Sequence, residues 1–445
     1  MLSLYLRLLS GEFLAAAQER ENNRVYNTPV VILLMIFQRL QAGGCMEPAV
    51  LDLPDLPVSL WPDPCKRLQP GQKALSSNTG AYNKARQNLP LNAVEELCGD
   101  VFEQLTAITN GTLPAIGRRA FVFDGTTVRT AHTEKLAAEY PPTSNQNGPS
   151  HWPLIRMVVA HDLISGLGMR PEWGAVNGPS AVSEQYLFKQ AVKRLPAQAV
   201  VVADANFGVF SVAYASVREQ HPVVVRMTAA RAKSMLPEPL RDGIDRRIEW
   251  RPAAADRKTN PALPLDACIG GRMIVTQVQP SDGSAAFLLS LFTALDDDQE
   301  EIVKLYGQRW NIETGIGALK GTLRLDRLTS KTTEMVNKEI EIGIMSYNLV
   351  RTVMSAQELK AHYQAAQQAG LTPREFSFTR VKRLLNHYGA KIAAAKTKKE
   401  AAELTSRLAH YIGQARLYKR KKNRPTKPRP VWHRTKPFPR REAKP

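Results

Sequence analysis

Cysteine is scarce: Cys45, Cys65, Cys98 and Cys268 are the only four in 445 residues, with no C-x-x-C pair and no metal-finger spacing. Their pattern excludes a disulfide-stapled scaffold and a zinc finger, and fits free thiols in a reducing cytoplasm. Long apolar stretches are missing as well. The longest, Val30 to Phe37, has eight residues, against the ~20 needed to span a bilayer, so no membrane contact is expected. Met1 to Ser10 lacks the basic start, long apolar stretch and small-residue cleavage site of a signal peptide, so no export is expected either. No internal repeat is visible, and the length is that of two or three domains with ample core.

Acidic residues are also in deficit. Lys and Arg number 60 against 41 Asp and Glu, a net charge of +19. From Arg416 to Pro445 there are 13 Lys or Arg against one acid, Glu442, so +12 of the +19 lies in the last 30 residues. A mildly basic body therefore carries a strongly basic arm. Such an arm favours a polyanionic partner through counterion release. Being Pro-rich, it has no apolar face to bury and is expected to stay disordered until it meets an anion.

The order of patterns along the chain predicts an α/β fold. Leu2 to Gln18, Pro29 to Gln41 and Ala93 to Ile108 carry apolar residues at three and four spacing, which makes residues 1–115 a helical region. Within it, Ser76 to Leu89 starts with capping residues and presents Lys84 and Arg86, candidates for DNA phosphates. From Ala120 the period changes to β-branched and aromatic runs, Phe121 to Phe123, Ile155 to Val159, Val200 to Val202 and Pro222 to Met227, interleaved with helices at Ala181 to Arg194 and after Phe210. Residues 116–228 thus read as the first part of a core. Residues 229–286 lose the helical period and contain strand-like pieces at Arg246 to Arg251 and Met273 to Val278, a β-rich insertion. The core resumes over 287–356 with the run Phe287 to Phe292, followed by Asp296, Asp297 and Asp298 as caps for a helix. Helical pattern continues from Asn337 to Gln357 and from Arg374 to Leu417, giving a C-terminal region over 357–417 and a basic tail over 418–445.

The helix after Asp298 holds the chemistry. Tyr306, Arg309, Glu313 and Lys320 are separated by three, four and seven residues, so at about 100° per residue all four project from one stripe. A Glu between cations, with a phenol one turn back, can hold a metal while the cations grip phosphate. Asp124 and Asp204 each follow an apolar strand-like run. Three carboxylates on separate elements suit hard divalent ions, and two such ions about 3.5–4 Å apart can activate an oxygen nucleophile and stabilise a leaving oxygen at a phosphodiester. Glu184, after Ser183, is a further acid that can approach them, or an exposed helix carboxylate. Trp250 and Trp310 are either core residues or platforms for an extruded base. Gly315 to Thr322 lacks the order of a phosphate loop, so nucleotide hydrolysis is unsupported.

On these residues the chain resembles the bacterial insertion-sequence transposases with a ribonuclease-H-like fold and an Asp-Asp-Glu triad, of IS-four type. The signature Y-x2-R-x3-E-x6-K is complete as Tyr306, Arg309, Glu313 and Lys320. Asp124-Gly125-Thr126-Thr127 resembles the first-Asp motif and Asp204-Ala205-Asn206-Phe207 the second, with Asn206 where members often carry Gly or Arg. Ser77 to Arg86 is similar to the family's N-terminal region. The resemblance implies a mixed sheet with flanking helices interrupted by the insertion, and cut-and-paste DNA transposition. Asp124, Asp204 and Glu313 would be catalytic and would bind two Mg2+ ions, with Mn2+ as a substitute. Tyr306, Arg309 and Lys320 would contact phosphates of double-stranded DNA, in the element's terminal inverted repeats and in target DNA. It further implies a homodimer in the synaptic complex, in the cytoplasm with the nucleoid. Two other readings use the same residues: a catalytically silent DNA-binding regulator derived from a transposase, and a metal-dependent nuclease of the same fold.

The basic arm generates its own expectation. Deleting residues 419–445 should weaken DNA binding without changing sequence preference and should flatten the plot of log affinity against log salt, because unscaffolded Lys and Arg read phosphates rather than base edges. Binding titrations from 50 to 300 mM salt check this, and an unchanged slope defeats it.

Overall fold

In a computed structural model of the chain, residues 24–41, 44–56, 60–61, 75–108, 116–145, 148–280, 285–355 and 376–416 are described, with Tyr5, Leu8, Leu9 and Phe13. Most of the helix expected over Leu2 to Gln18, the end of that expected to Gln357, the start of that expected from Arg374, Cys65 and the tail lie outside the described residues. So does the side chain of Trp310.

The expected α/β, ribonuclease-H-like class is the one observed. Helices α1 (Thr28–Leu40), α2 (Gly80–Asn88) and α3 (Leu91–Ile108) precede the sheet. Strands β1 (Ala120–Arg129), β2 (Leu154–Asp162) and β3 (Glu172–Ala175) come next, then helix α4 (Glu184–Ala191), β4 (Val200–Ala203), α5 (Phe210–Arg218) and β5 (Val223–Arg226). Strands β6 (Ile244–Trp250), β7 (Ile269–Val278) and β8 (Phe287–Thr293) follow, and α6 (Gln299–Gly307), α7 (Asn311–Gly317), α8 (Thr333–Ser355), α9 (Phe378–Ala393) and α10 (Lys398–Gly413) complete the order. The eight principal strands form one sheet, β3-β2-β1-β4-β5-β8-β7-β6. β1, β4 and β5 run parallel, and every other neighbouring pair is antiparallel. The β-rich stretch therefore extends the central sheet through β8.

Alternation along the strands sorts residues onto two faces. Phe121, Phe123, Val201, Ala203, Val223 and Val225 join the larger core, under α4 and α5, where Phe123 packs on Phe188 at 4.5 Å between ring centroids. Ala120, Val122, Val200, Val202 and Val224 point to the other face, where Ile302, Leu305, Tyr306 and Ile312 of α6 and α7 cover them. Trp250 belongs to the interior: it is 7% exposed and meets Phe210 and Phe292 edge to face, at 5.7 and 4.8 Å. Of the two readings offered for Trp250, the core one holds and the base-stacking one does not, since the ring is buried among aromatic neighbours and out of a base's reach.

Two sequence expectations change in the same region. β1 does not stop at Asp124 but pairs with β2 to Arg129, opposite Leu154. The single signature helix is instead α6, a 3-10 turn at Gln308–Trp310, α7, and a π-helical turn at Ala318–Thr322. Of the expected caps, Asp298 takes the N-cap position without a side-chain hydrogen bond, and Asp296 pairs with Arg247 at 3.0 Å instead. No helix among the described residues is long and apolar enough to cross a membrane.

α8 is buried along nearly its whole length, and its polar side chains are tied to neighbouring elements. Asn348 exchanges two hydrogen bonds of 2.8 Å with the backbone of Gly168, and Lys338 donates to the carbonyls of Arg86 and Gln87 at 3.3 and 3.0 Å. Glu341 accepts from Arg170 Nε at 2.5 Å, and Glu95 pairs with the same guanidinium. Burial nevertheless pushes the Glu341 carboxyl up to about 7, against the opposing pull of Arg170. Because the folded pKa is raised, the folded state keeps a proton that the unfolded chain releases above its ordinary value of 4.5. Stability should therefore fall as pH rises from about 4.5 to about 7, by about 3 kcal/mol from this group. Denaturant melts at pH 5 and pH 8 check this: the loss should shrink by that amount in Glu341→Gln, and an equal loss in both proteins would contradict it.

Candidate active site

The parallel pairing of β1 with β4 puts Phe123 opposite Ala203, so Asp124, within β1, and Asp204, just past the end of β4, stand side by side. Both continue the alternation of Ala120–Val122 and Val200–Val202, and so emerge on the face covered by α6 and α7. Each is held by its own backbone. Asp124 Oδ1 accepts from Gly125 N at 2.8 Å, and Asp204 Oδ1 from Asn206 N at 2.9 Å.

The Asp124 carboxyl is pushed up to about 6, chiefly by burial and further by the charges of Asp204 and Glu184; the Gly125 amide and Arg309 oppose the rise. This is an acid cluster with more negative charge than its one nearby guanidinium offsets. Glu184 adds its charge from the α4 side of the strand, where a Cβ on Gly125 would collide with its carboxylate. Ser183 caps α4 through Tyr186 N at 3.0 Å and so fixes the turn carrying Glu184.

The signature residues approach from the covering helices. Tyr306 is 5% exposed and Arg309 8% exposed. Burial raises the Tyr306 phenol above its ordinary value, with Arg309 and Arg226 pulling the other way, so the phenol stays protonated at neutral pH. Arg309 Nη2 lies 3.8 Å from Glu313 Oε1, and Glu313 is half exposed. Lys320, on the π-helical turn, donates from Nζ to Thr126 Oγ1 at 3.0 Å, two residues beyond Asp124. Irregular i to i+5 turns of this kind often occur at functional sites.

Asp124, Asp204, Glu184 and Arg309 are thus brought together, with Tyr306, Glu313 and Lys320 around them. Glu313 is turned to Arg309, and among the described residues no three His, Cys, Asp or Glu side chains are gathered closely enough to hold a metal ion. The donor set still suits a hard cation: adjacent carboxylates, partly buried, in surplus negative charge. On α2, Lys84 is exposed, whereas Arg86 is 6% exposed and stacks over Tyr82 at 5.6 Å. Arg231 escaped sequence reasoning altogether. Its Nη1 donates to the carbonyls of Ala205 and Gly208 at 3.1 and 3.0 Å, clamping the loop after Asp204, and no periodicity or motif around it signals that role.

Comparison with known proteins identifies the family. Residues 116–349 match the family model described as transposase DDE domain. A curated relative, transposase InsG for insertion sequence element IS4 of Escherichia coli (strain K12), is 25% identical over 294 residues. That match covers 64% of this chain and 63% of the relative's length.

The two glycines beside the aspartates should respond differently to alanine. A Cβ on Gly208 would strike the backbone carbonyl of Arg226, whereas one on Gly125 meets only the movable end of Glu184. Gly208→Ala should cost about 1–3 kcal/mol of stability, as overpacking does, and Gly125→Ala under about 1 kcal/mol. Thermal melts of both variants decide, and equal destabilisation would refute the contrast.

Proposed function

Since the chain belongs to the transposase DDE domain family, we propose that it performs cut-and-paste transposition of an insertion sequence, nicking DNA at the element's ends and joining the freed 3′-hydroxyls to new DNA. The observation that carries this reading is the pair Asp124 and Asp204, side by side on parallel strands under the helix bearing Glu313. Asp124, Asp204 and Glu313 would hold two Mg2+ ions. Once bound, these would supply charge neutralisation at the phosphodiester and an activated oxygen nucleophile.

The remaining residues bind and orient DNA. Arg309, between Glu313 and the aspartates, is a charge-assisted donor for a non-bridging phosphate oxygen. Lys320 sits over β1 two residues from Asp124, where it neutralises the neighbouring phosphate. Tyr306, protonated and buried beside Arg309, supports the guanidinium's position and can donate one hydrogen bond. Lys84 offers a peripheral contact, while Arg86, stacked over Tyr82, acts from within the fold. Holding two element ends together calls for a homodimer.

Replacement of Asp124, Asp204 or Glu313 by Ala should lower Mg2+-dependent cleavage of element-end DNA by at least about 10³-fold while leaving DNA binding in place, since the metal-held charge is lost. Persistent cleavage in all three variants would overturn the reading. Binding without cleavage by the wild-type chain would favour a silent regulator, and nicks without joined products a nuclease.

A further inference from the structure

At the Arg129 end of β1, a cavity of about 490 Å³ opens between the N-terminal helices and the core. Five guanidiniums line it: Arg39 of α1, Arg86 of α2, Arg129 at the end of β1, and Arg324 and Arg327 of the loop after the π-helical turn. Two carboxylates answer them, Glu339 at 3.4 Å from Arg39 and Asp326 at 3.3 Å from Arg129. The surplus is three positive charges.

The arginines are brought together by the fold. Arg129 N donates to Asp326 O at 3.0 Å and Leu328 N to Arg129 O at 2.8 Å, which zips the loop onto β1. Arg39 Nη1 donates to Leu323 O at 3.4 Å, and Lys338 of α8 holds the carbonyl of Arg86. Arg86 is more than nine-tenths buried, and its Nε makes no hydrogen bond. Burial and the nearby Arg86 charge pull Arg39 below its ordinary value, while Glu339 opposes them. Like charges have been gathered against their repulsion. Arg324 adds a second oddity: its φ is +58°, a left-handed backbone that side chains other than Gly, Asn and Asp seldom adopt. Such strain is retained where the placed side chain has work to do.

We propose that this cavity is a clamp for a backbone phosphodiester of the bound DNA, engaged some distance from the scissile bond. The assignment rests on the transposase reading above and adds a second anchor to it. Planar guanidinium forks match phosphate oxygens, and the volume lies within the roughly 300–1,000 Å³ of ligand clefts, enough for a phosphodiester with flanking sugar. Among the described lining residues none is aromatic, so the cavity offers no platform for a base and is blind to sequence. Asp124 and Arg129 are five residues apart on one strand, about 17 Å at strand rise, or about five base-pair steps of duplex. Lys320 reaches Thr126, which lies between them on the strand, so a further cation stands along β1 between the acids and the clamp.

The test uses the full-length chain, a duplex carrying the inverted repeats that flank its reading frame, and a shuffled duplex of equal length. Arg324 and Arg327 are exposed, and Asn accepts the backbone at 324, so Arg324→Asn with Arg327→Ala leaves the fold intact, as an unchanged melting temperature should report. The double variant should bind both duplexes about tenfold more weakly at 150 mM salt, with a slope of log affinity against log salt reduced by about 1–2. A wild-type chain that binds and cleaves, beside a double variant with unchanged affinity and slope, would overturn the clamp alone. Loss confined to the inverted-repeat duplex would also overturn it, because a phosphate clamp cannot tell the two apart. A wild-type chain that binds neither duplex would overturn this inference together with the transposase reading.

Discussion

The in-register parallel pairing of β1 and β4 is the constraint on which the site depends. Phe123 faces Ala203, so the next residue on each strand is an aspartate, and strand alternation aims both at one face. A slip of one residue would send one carboxylate into the apolar core beneath Phe188, where an unpaired charge is costly. The register is fixed from both sides: Phe121, Phe123, Val201 and Ala203 fill the larger core, and Val122, Val200 and Val202 the smaller one. Packing and chemistry are thereby specified by the same period.

Around that pair the molecule is held by polar groups inside apolar surroundings. α8 contributes Lys338, Glu339, Glu341 and Asn348 to the interior, bonded respectively to α2, to Thr329, and, for the last two, to the connection between β2 and β3. Burying such groups gives little net stability, but leaving one without its partner is expensive, so the arrangement favours a single way of docking the N-terminal helices onto the core. Arg39, Arg86 and Arg324 inherit their positions from that docking. The clamp and the acid cluster are consequently parts of one rigid layout, joined by β1 and the segment from Lys320 to Leu328.

Much of this was legible in the sequence, for identifiable reasons. The β-branched runs at Val200 and Val223 and the apolar period of α1 and α3 declare themselves because local pattern and burial agree. Asp204 stands at a strand end as its sequence suggested. Asp124 does not, because Gly125 breaks the apolar run and marks an apparent end, whereas Thr126, Thr127 and Val128 are β-branched and continue the ladder against β2. The even helical stripe failed for a similar reason: the π-helical turn is set where Leu319 is buried and Lys320 reaches Thr126, contacts that no helical wheel contains. Glu184 joins the acids through the packing of α4 on β1, and Arg86 is withdrawn beneath the fold by the same tertiary contacts that give it neighbours. Charge and spacing identified the chemistry, whereas burial decided which side chains stand where.

The two rims of the sheet have a consequence for how copies of this chain can meet. At one rim, β3 is only four residues long and its outer backbone is already engaged, with Val182 N bonded to Ala175 O at 3.0 Å. At the other, β6 sets Arg246, Arg247 and Glu249 along its length, and Arg247 is tied to Asp296. Neither rim offers the plain, uncharged strand that recruits another by hydrogen bonding. Addition of strand to strand, the simplest route by which β proteins oligomerise or precipitate, is thus disfavoured at both rims of the described sheet, which leaves helices, loops or a shared length of nucleic acid as the readier meeting places for protomers.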